Sequence, residues 1–316
     1  MLMSSDNKKR AAALLDHAKQ LRSRGNVNQA VDVCRQALKL NPSNTAIHRH
    51  LALNLKTCQR YAEAILAAKK ALAIEPDDPT LTHILDSLER RSSSRAPIGY
   101  VNRLFDRFAT TFDKRMNGDL KYRVPRILGK PLKRIAKKRG PFKRAADLGC
   151  GTGLLGGVLK PFTEYLVGVD ISQKMLQQAS AKSTYDALCR EDILCFLDQK
   201  QTEFDLIVAA DVFIYIGDLT PFFRMAKKQL QSTGILAFST EQTNRSAYRL
   251  RKSGRFAHRA DYISELASQT GFSTISRSLT GIRQENNRWM NGGIFILEKC
   301  SQASGPRQQQ KTPMTR

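Results

Sequence analysis

The sequence predicts an α/β protein with a doubly wound, mostly parallel sheet, preceded by an all-α domain of helical repeats. Three observations carry that prediction. Ala145-Ala146-Asp147-Leu148 is a short apolar strand running straight into Gly149-Cys150-Gly151-Thr152-Gly153, and alternating glycines let a backbone turn sharply and approach a ligand. Leu166-Val167-Gly168-Val169-Asp170 is a second apolar strand, closing on a carboxylate about 20 residues past the first glycine. In the first third, Ala30, Ala37, Leu38 and Pro42 are matched by Ala64, Ala71, Leu72 and Pro76, at a constant offset.

That offset is about 34 residues, the tetratricopeptide length. Small alanines let two helices touch, and each proline stops one helix before the next begins. Gly25 stands at the turn inside the first copy and Gln59 at the same place in the second. The aromatic expected early in such a motif is absent from both, so the repeats are degenerate. Pro79 to Arg90 places Leu81, Ile84, Leu85 and Leu88 on one side and reads as the closing helix that two repeats need to bury their apolar faces. Arg91-Ser92-Ser93-Ser94-Arg95-Ala96-Pro97 has linker composition. The division expected is a helical repeat domain over 1–92, a basic linker with lid helices over 93–144, an α/β core over 145–299 and a disordered basic tail over 300–316.

Within the core, Ser172 is placed to N-cap a helix through Ala179. Phe204 to Ala209, apolar on both faces as buried parallel strands are, reads as the fourth strand, ending at Asp211. A helix from Pro221 to Leu230, a strand from Gly234 to Thr240 and a helix from Arg259 to Thr270, closed by Gly271, follow. Thr274 to Ser276 and Gly293 to Leu297 are the expected last strands.

Gly151-Thr152-Gly153-Leu154-Leu155-Gly156 formally satisfies the dinucleotide fingerprint. Asp147 argues for a different ligand. A carboxylate repels a pyrophosphate but attracts the ammonium and sulfonium of S-adenosylmethionine, and Asp170 is placed to accept both ribose hydroxyls. The first segment resembles motif I of the class I S-adenosylmethionine-dependent methyltransferases, and Val169-Asp170-Ile171-Ser172 resembles their motif II. The likeness runs from about Tyr100 to Lys299. It implies a Rossmann-like core with a mostly parallel seven-stranded sheet and S-adenosyl-L-methionine as cofactor. The positions it implies for cofactor binding are Asp147, Gly149, Cys150, Gly151, Gly153, Asp170, Ile171, Asp192 and Ile193. Members of that family place an acid against the adenine amino group; Asp192 fits, with Glu191 and Asp186 as alternatives. Together with the repeats, Tyr100 to Asp113, Tyr122 to Pro125 and Asp211 to Leu219 are similar to a bacterial family of tetratricopeptide-containing methyltransferases.

Simpler readings stand beside these. The glycines also suit a plain strand-to-helix turn, and Asp170 a helix N-cap. Methyl transfer from an activated sulfonium rests mainly on positioning, with a general base required only for a poor nucleophile. Three residues are candidates for catalysis. Asp211 either orients substrate or caps a turn. Tyr215 is either near the methyl group or a core tyrosine, and His258 is either a base or a capping or surface residue before a helix. The absence of an Asn- or Asp-Pro-Pro-Tyr sequence after the fourth strand argues against methylation of base exocyclic amines.

The net charge of +24 is concentrated between residues 91 and 146, which hold 17 Lys and Arg against 3 Asp. The preferred reading is a solvated helix face plus a loop, since no aromatics interleave the charges; the other is contact with nucleic acid, an acidic partner or an anionic membrane surface. Six cysteines form no C-x-x-C pair, so no metal is expected and the thiols read as reduced. The amino terminus has no apolar signal core, and no apolar run reaches the ~20 residues of a membrane helix, so a cytoplasmic location is expected. The methyl acceptor is a small molecule or is bound to a protein or carrier, and the repeat groove is suited to a protein partner. An interaction protein with a degenerate core and an NAD-dependent oxidoreductase are the competing classes; intact Asp147, glycines and Asp170 speak against the first, and Asp147 against the second.

Overall fold

The computed structural model describes residues 5–91, 93–199 and 203–301; the expected tail falls almost wholly outside them. The chain opens with five helices, α1 (Ser5–Ser23), α2 (Val27–Leu40), α3 (Thr45–Thr57), α4 (Tyr61–Ile74) and α5 (Pro79–Glu89), each packed on the next. Ala30, Ala37, Ala64 and Ala71 are fully buried at the helix contacts, where a larger side chain would hold the helices apart. Leu81, Ile84, Leu85 and Leu88 of α5 close the same core.

The turn after α1 and the turn after α3 match down to single hydrogen bonds. Asn26 N donates to Leu21 O, and Arg60 N donates to Leu55 O, both at 2.9 Å. Gly25 N donates to Arg22 O and Gln59 N to Lys56 O, both at 3.1 Å. Gly25 and Gln59 both hold a left-handed backbone, at φ +85 and +60. A side chain has thus been accepted in a conformation that favours glycine.

After a short crossing come α6 (Ile98–Phe108), a 3-10 turn, the single turn α7 (Phe112–Lys114), a π turn over Arg115–Asp119, and α8 (Val124–Arg139). Lys130, Lys133, Arg134, Lys137 and Lys138 of α8 are exposed while Val124, Leu128, Leu132 and Ala136 are buried, which is the solvated basic face anticipated. Residues 93–96 do not form the free linker that their composition predicts. Ser94 O accepts from Gly217 N and Asp218 N, Ala96 N donates to Tyr215 O, and the Arg95 guanidinium reaches Asp192 at 2.5 Å. Backbone pairing with a distant segment leaves no mark in composition.

The sheet order is β3-β2-β1-β4-β5-β9-β8. Its strands are β1 (Phe142–Leu148), β2 (Thr163–Asp170), β3 (Ala187–Arg190), β4 (Phe204–Ala209), β5 (Leu230–Glu241), and the long antiparallel pair β8 (Phe272–Glu285) and β9 (Arg288–Lys299). The helices between them are α9 (Gly156–Leu159), α10 (Gln173–Ser180), α11 (Ile193–Asp198), α12 (Thr220–Gln229) and α13 (Ala260–Gln269). A separate hairpin, β6 (Tyr248–Leu250) with β7 (Phe256–His258), has no counterpart in the sequence reading.

Period-two burial builds both faces of the sheet. Ala145, Leu206, Val208, Ile235, Ala237, Ile294 and Ile296 pack against α8 and α9. Their neighbours Ala146, Ile207, Ala209, Leu236, Phe238, Phe295 and Leu297 pack against α11, α12 and α13. β1 is flanked by β2 on one side and β4 on the other, so the winding reverses there. Such a reversal opens a crevice at the carboxyl ends of the strands.

Candidate functional site

Asp147 and Asp170 end up together because β1 and β2 are parallel and in register, with Asp147 opposite Gly168 and Leu148 opposite Val169. The turn after β1 holds Gly149, Gly151 and Gly153 at φ +67, +55 and +86. A Cβ on Gly149 would stand 2.4 Å from the Val212 side chain, so this loop requires glycine for space as well as for conformation. Gly151 N donates to Asp170 Oδ2 at 2.9 Å, and Ser172 N donates to Asp170 Oδ1 at 2.8 Å. One carboxylate thus fixes the glycine turn and the start of α10. Ser172 caps that helix by accepting from Met175 N at 3.2 Å.

Asp147 is 1% exposed, and the Tyr185 hydroxyl donates to its Oδ2 at 2.7 Å. Burial pushes its pKa up from 3.8 to about 7, against the pull of that hydrogen bond. Tyr185 escaped the sequence reading, although a signal for it existed. A Cβ on Gly156 would lie 2.5 Å from the Tyr185 ring, and one on Gly168 would lie 2.9 Å from it. The third glycine of the apparent dinucleotide fingerprint therefore makes room for a tyrosine.

The crevice widens into a cavity of about 910 Å³. Asp147, Gly149, Cys150, Gly151, Asp170, Ile171, Asp192 and Ile193 all line it; Gly153 alone of the expected cofactor residues does not. Burial drives the Cys150 thiol far above its ordinary pKa, so it stays protonated. Asp192 accepts from Leu194 N at 3.1 Å as the cap of α11, in addition to its ion pair with Arg95. Of the two alternatives to it, Glu191 lines the cavity and Asp186 is instead bound to Lys160 at 2.6 Å.

The three catalytic candidates separate. Asp211 lines the cavity at φ +56, with its N–H donating to Ser239 Oγ and its carboxylate held by Arg283 at 2.6 Å. Arg283 is 2% exposed and also meets Glu241 and Glu285; burial alone would lower its pKa, but the three acids hold it higher. It lies near the far end of β8, beyond the short strand expected from Thr274 to Ser276. Tyr215 lines the cavity edge-on to Phe105, with ring centroids 5.5 Å apart, and burial raises its phenol. His258 is neither a surface residue nor a helix cap. It is fully buried in β7, outside the cavity lining, with Nε2 3.0 Å from Gly217 O, and burial lowers its pKa to about 4. The unforeseen β6–β7 hairpin is what encloses it.

The aromatics of α6 and α7 cover the site. Phe105, Phe108 and Phe112 line the cavity, and Phe105 meets Phe112 edge-on at 6.2 Å. No residue of α6 is fully buried, and its aromatics face the cavity. Two acids tie it down: Ser172 Oγ donates to Asp106 at 2.6 Å, and Asp113 takes Thr152 and Lys182. On the opposite side, Arg22, Arg49, His50, Leu53, Lys56 and Tyr61 bring α1, α3 and α4 to the same cavity. The glycine turn and the amino-terminal helices therefore share one space.

The carboxyl-terminal part of the chain is similar to known methyltransferases. Residues 146–238 match the family model described as a methyltransferase domain. The ubiquinone biosynthesis O-methyltransferase of Bartonella quintana is 31% identical over 105 residues, 32% of this chain and 42% of that one. The malonyl-[acyl-carrier protein] O-methyltransferase of Priestia megaterium is 32% identical over 99 residues, 30% of this chain and 35% of that one. The chain thus spans less than half the length of these curated relatives. Among solved structures, the N-methyltransferase NodS of Bradyrhizobium japonicum, in complex with S-adenosyl-L-homocysteine, has a TM-score of 0.50 at 20% identity, covering 63% of this chain and 97% of that one. An S-adenosylmethionine-dependent methyltransferase of Leishmania major gives 0.51 at 15% identity, covering 63% and 82%. These two likenesses establish a shared fold. The carboxyl-terminal part of the chain is a class I S-adenosylmethionine-dependent methyltransferase domain. Among the described residues, no helix is long and apolar enough to cross a membrane and no group of residues is arranged to hold a metal ion.

Proposed function

We propose that this chain transfers a methyl group from S-adenosylmethionine to an acceptor held between the methyltransferase domain and the helical repeats. The observation that carries the reading is the single cavity whose walls come from both. Its cradle fits the cofactor: Asp147 suits the ammonium, the free lone pairs of Asp170 suit the ribose hydroxyls, and Ile171, Asp192 and Ile193 suit the adenine end. When bound, S-adenosylmethionine supplies a methyl group already activated on a sulfonium.

The residues of the chain then have four tasks. The strand-end acids hold the cofactor, Phe105 and Phe112 exclude water, Asp106 and Asp113 latch the cover, and the repeats present the acceptor. The Tyr215 phenol stays protonated and Asp211 is engaged by Arg283, so catalysis rests on positioning an acceptor that is itself nucleophilic. The matching turn geometry at Gly25 and Gln59 supports α1–α5 as degenerate tetratricopeptide repeats. Six unpaired cysteines suit a reducing, cytoplasmic setting.

Calorimetry with S-adenosylhomocysteine and with NAD tests the reading. Saturable binding of the first and none of the second is expected. Binding of NAD, or of neither, overturns it.

A further inference from the structure

The charges lining the cavity are segregated. Its carboxylates, Asp147, Asp170, Glu191, Asp192 and Asp211, all come from the ends of β1 to β4 or the turns after them. Cations line the remainder. Several of these have acids of their own: Arg49 meets Asp78, Arg95 meets Asp192, and Arg255 meets Glu241 and Glu285. Others meet no carboxylate among the described residues. Arg22 donates to the Asn54 side chain at 2.6 Å and Lys56 to Ser87 Oγ at 3.2 Å. Arg107 and Arg115 both lie over the Phe108 ring, at 4.7 and 5.0 Å, and Lys252 lies 4.1 Å over Tyr61.

Resting on the proposed methyltransferase reading, we infer that the acceptor is anionic: it carries a phosphate or polycarboxylate group that docks on Arg22, Lys56 and Arg107. The two repeats supply the first two cations from equivalent places, since Arg22 and Lys56 accept from Gly25 N and Gln59 N in the same turn. Arg22 and Arg107 already repel one another, and Lys56 is held against Arg255. Burial and Arg255 lower Lys56 to about 8, burial and Arg107 lower Arg22, and burial and Arg115 lower Arg107. Like charges held together away from water destabilise one another, and a multiply charged anion relieves that repulsion. Guanidinium forks also match the oxygens of phosphate and carboxylate in pairs. The cavity is thus dipolar: its acidic end receives the cationic cofactor, and its basic end receives the anionic acceptor. An acceptor of the wrong charge is rejected at either end.

The test uses the full chain saturated with S-adenosylhomocysteine, titrated with inorganic pyrophosphate and, separately, with citrate. At least one is expected to saturate, and the tighter of the two identifies the anionic group. Arg22→Gln/Lys56→Gln/Arg107→Gln is expected to weaken that anion at least tenfold while S-adenosylhomocysteine affinity is retained, which also shows that the variant is folded. Lys133→Gln/Lys137→Gln/Lys138→Gln, on the solvated face of α8, is expected to bind as the parent does. Three results overturn the inference: no saturation by either anion, unchanged affinity in the first variant, or equal loss in both variants. If S-adenosylhomocysteine itself fails to bind, the methyltransferase reading falls, whereas the anion titrations still report on the basic end.

Discussion

The protonation of Asp147 makes cofactor binding depend on pH in a way that can be calculated. With its pKa raised to about 7 by burial, the carboxyl group of the free protein is about one-tenth ionised near pH 6 and about nine-tenths ionised near pH 8. Only the ionised form attracts the ammonium of the ligand. The dissociation constant of S-adenosylhomocysteine should therefore be roughly tenfold weaker near pH 6 than near pH 8. Asp147→Asn keeps an acceptor for the Tyr185 hydroxyl but removes the charge, so it should weaken binding near pH 8 by more than about tenfold and abolish the pH dependence. Titration calorimetry of both proteins across this range is the assay. A flat profile for the parent, or the same slope in Asp147→Asn, refutes the assignment.

Other expectations follow from the same geometry. Since folding raises the Asp147 pKa from 3.8 to about 7, this group's contribution to stability is lost as pH rises through that window. Asp147→Asn should therefore have a higher Tm than the parent above about pH 7, with the difference shrinking toward about pH 4; an unchanged difference across the window counts against the raised pKa. Asp170→Ala should weaken S-adenosylhomocysteine at least tenfold and, by orphaning Gly151 N and Ser172 N, cost roughly 1–3 kcal/mol for each buried donor. Calorimetry and denaturant unfolding measure the two effects, and full affinity in a folded variant sinks the ribose role. Gln59→Gly should stabilise the protein by up to about 1 kcal/mol by relieving the left-handed backbone at φ +60; a loss of stability in chemical denaturation would contradict the strain. Amide exchange from Arg103 to Asp113 should slow on adding S-adenosylhomocysteine, because the aromatics there cover the site. Protection already maximal without ligand would make the cover a fixed wall.

What could be read from the sequence was what is encoded locally. The apolar runs at Ala145 to Leu148, Leu166 to Val169 and Phe204 to Ala209 are strands because two-sided burial demands uninterrupted apolar residues. The glycine turn, the Ser172 cap and the repeat spacing are equally local. The Asn286-Asn287 turn, with φ of +48 and +59, was also legible as a two-residue hairpin. Extending the last two strands across it would have brought Arg283 into the sheet near Asp211.

Sequence by itself determined the carboxyl ends of β1 and β2, the carboxylates at them and the glycine loop, since each follows from a few consecutive residues and the stereochemistry of the backbone. Tertiary structure alone decided what those carboxylates meet. Tyr185 comes to Asp147 across 38 positions, Arg283 to Asp211 across 72 and Arg95 to Asp192 across 97. It also decided that His258 is enclosed, that residues 93–96 are paired to the core, and that cations from the amino-terminal helices face acids of the sheet across one cavity. Such pairings depend on how separate elements pack, and a one-dimensional pattern records the preference of each element without recording its neighbour.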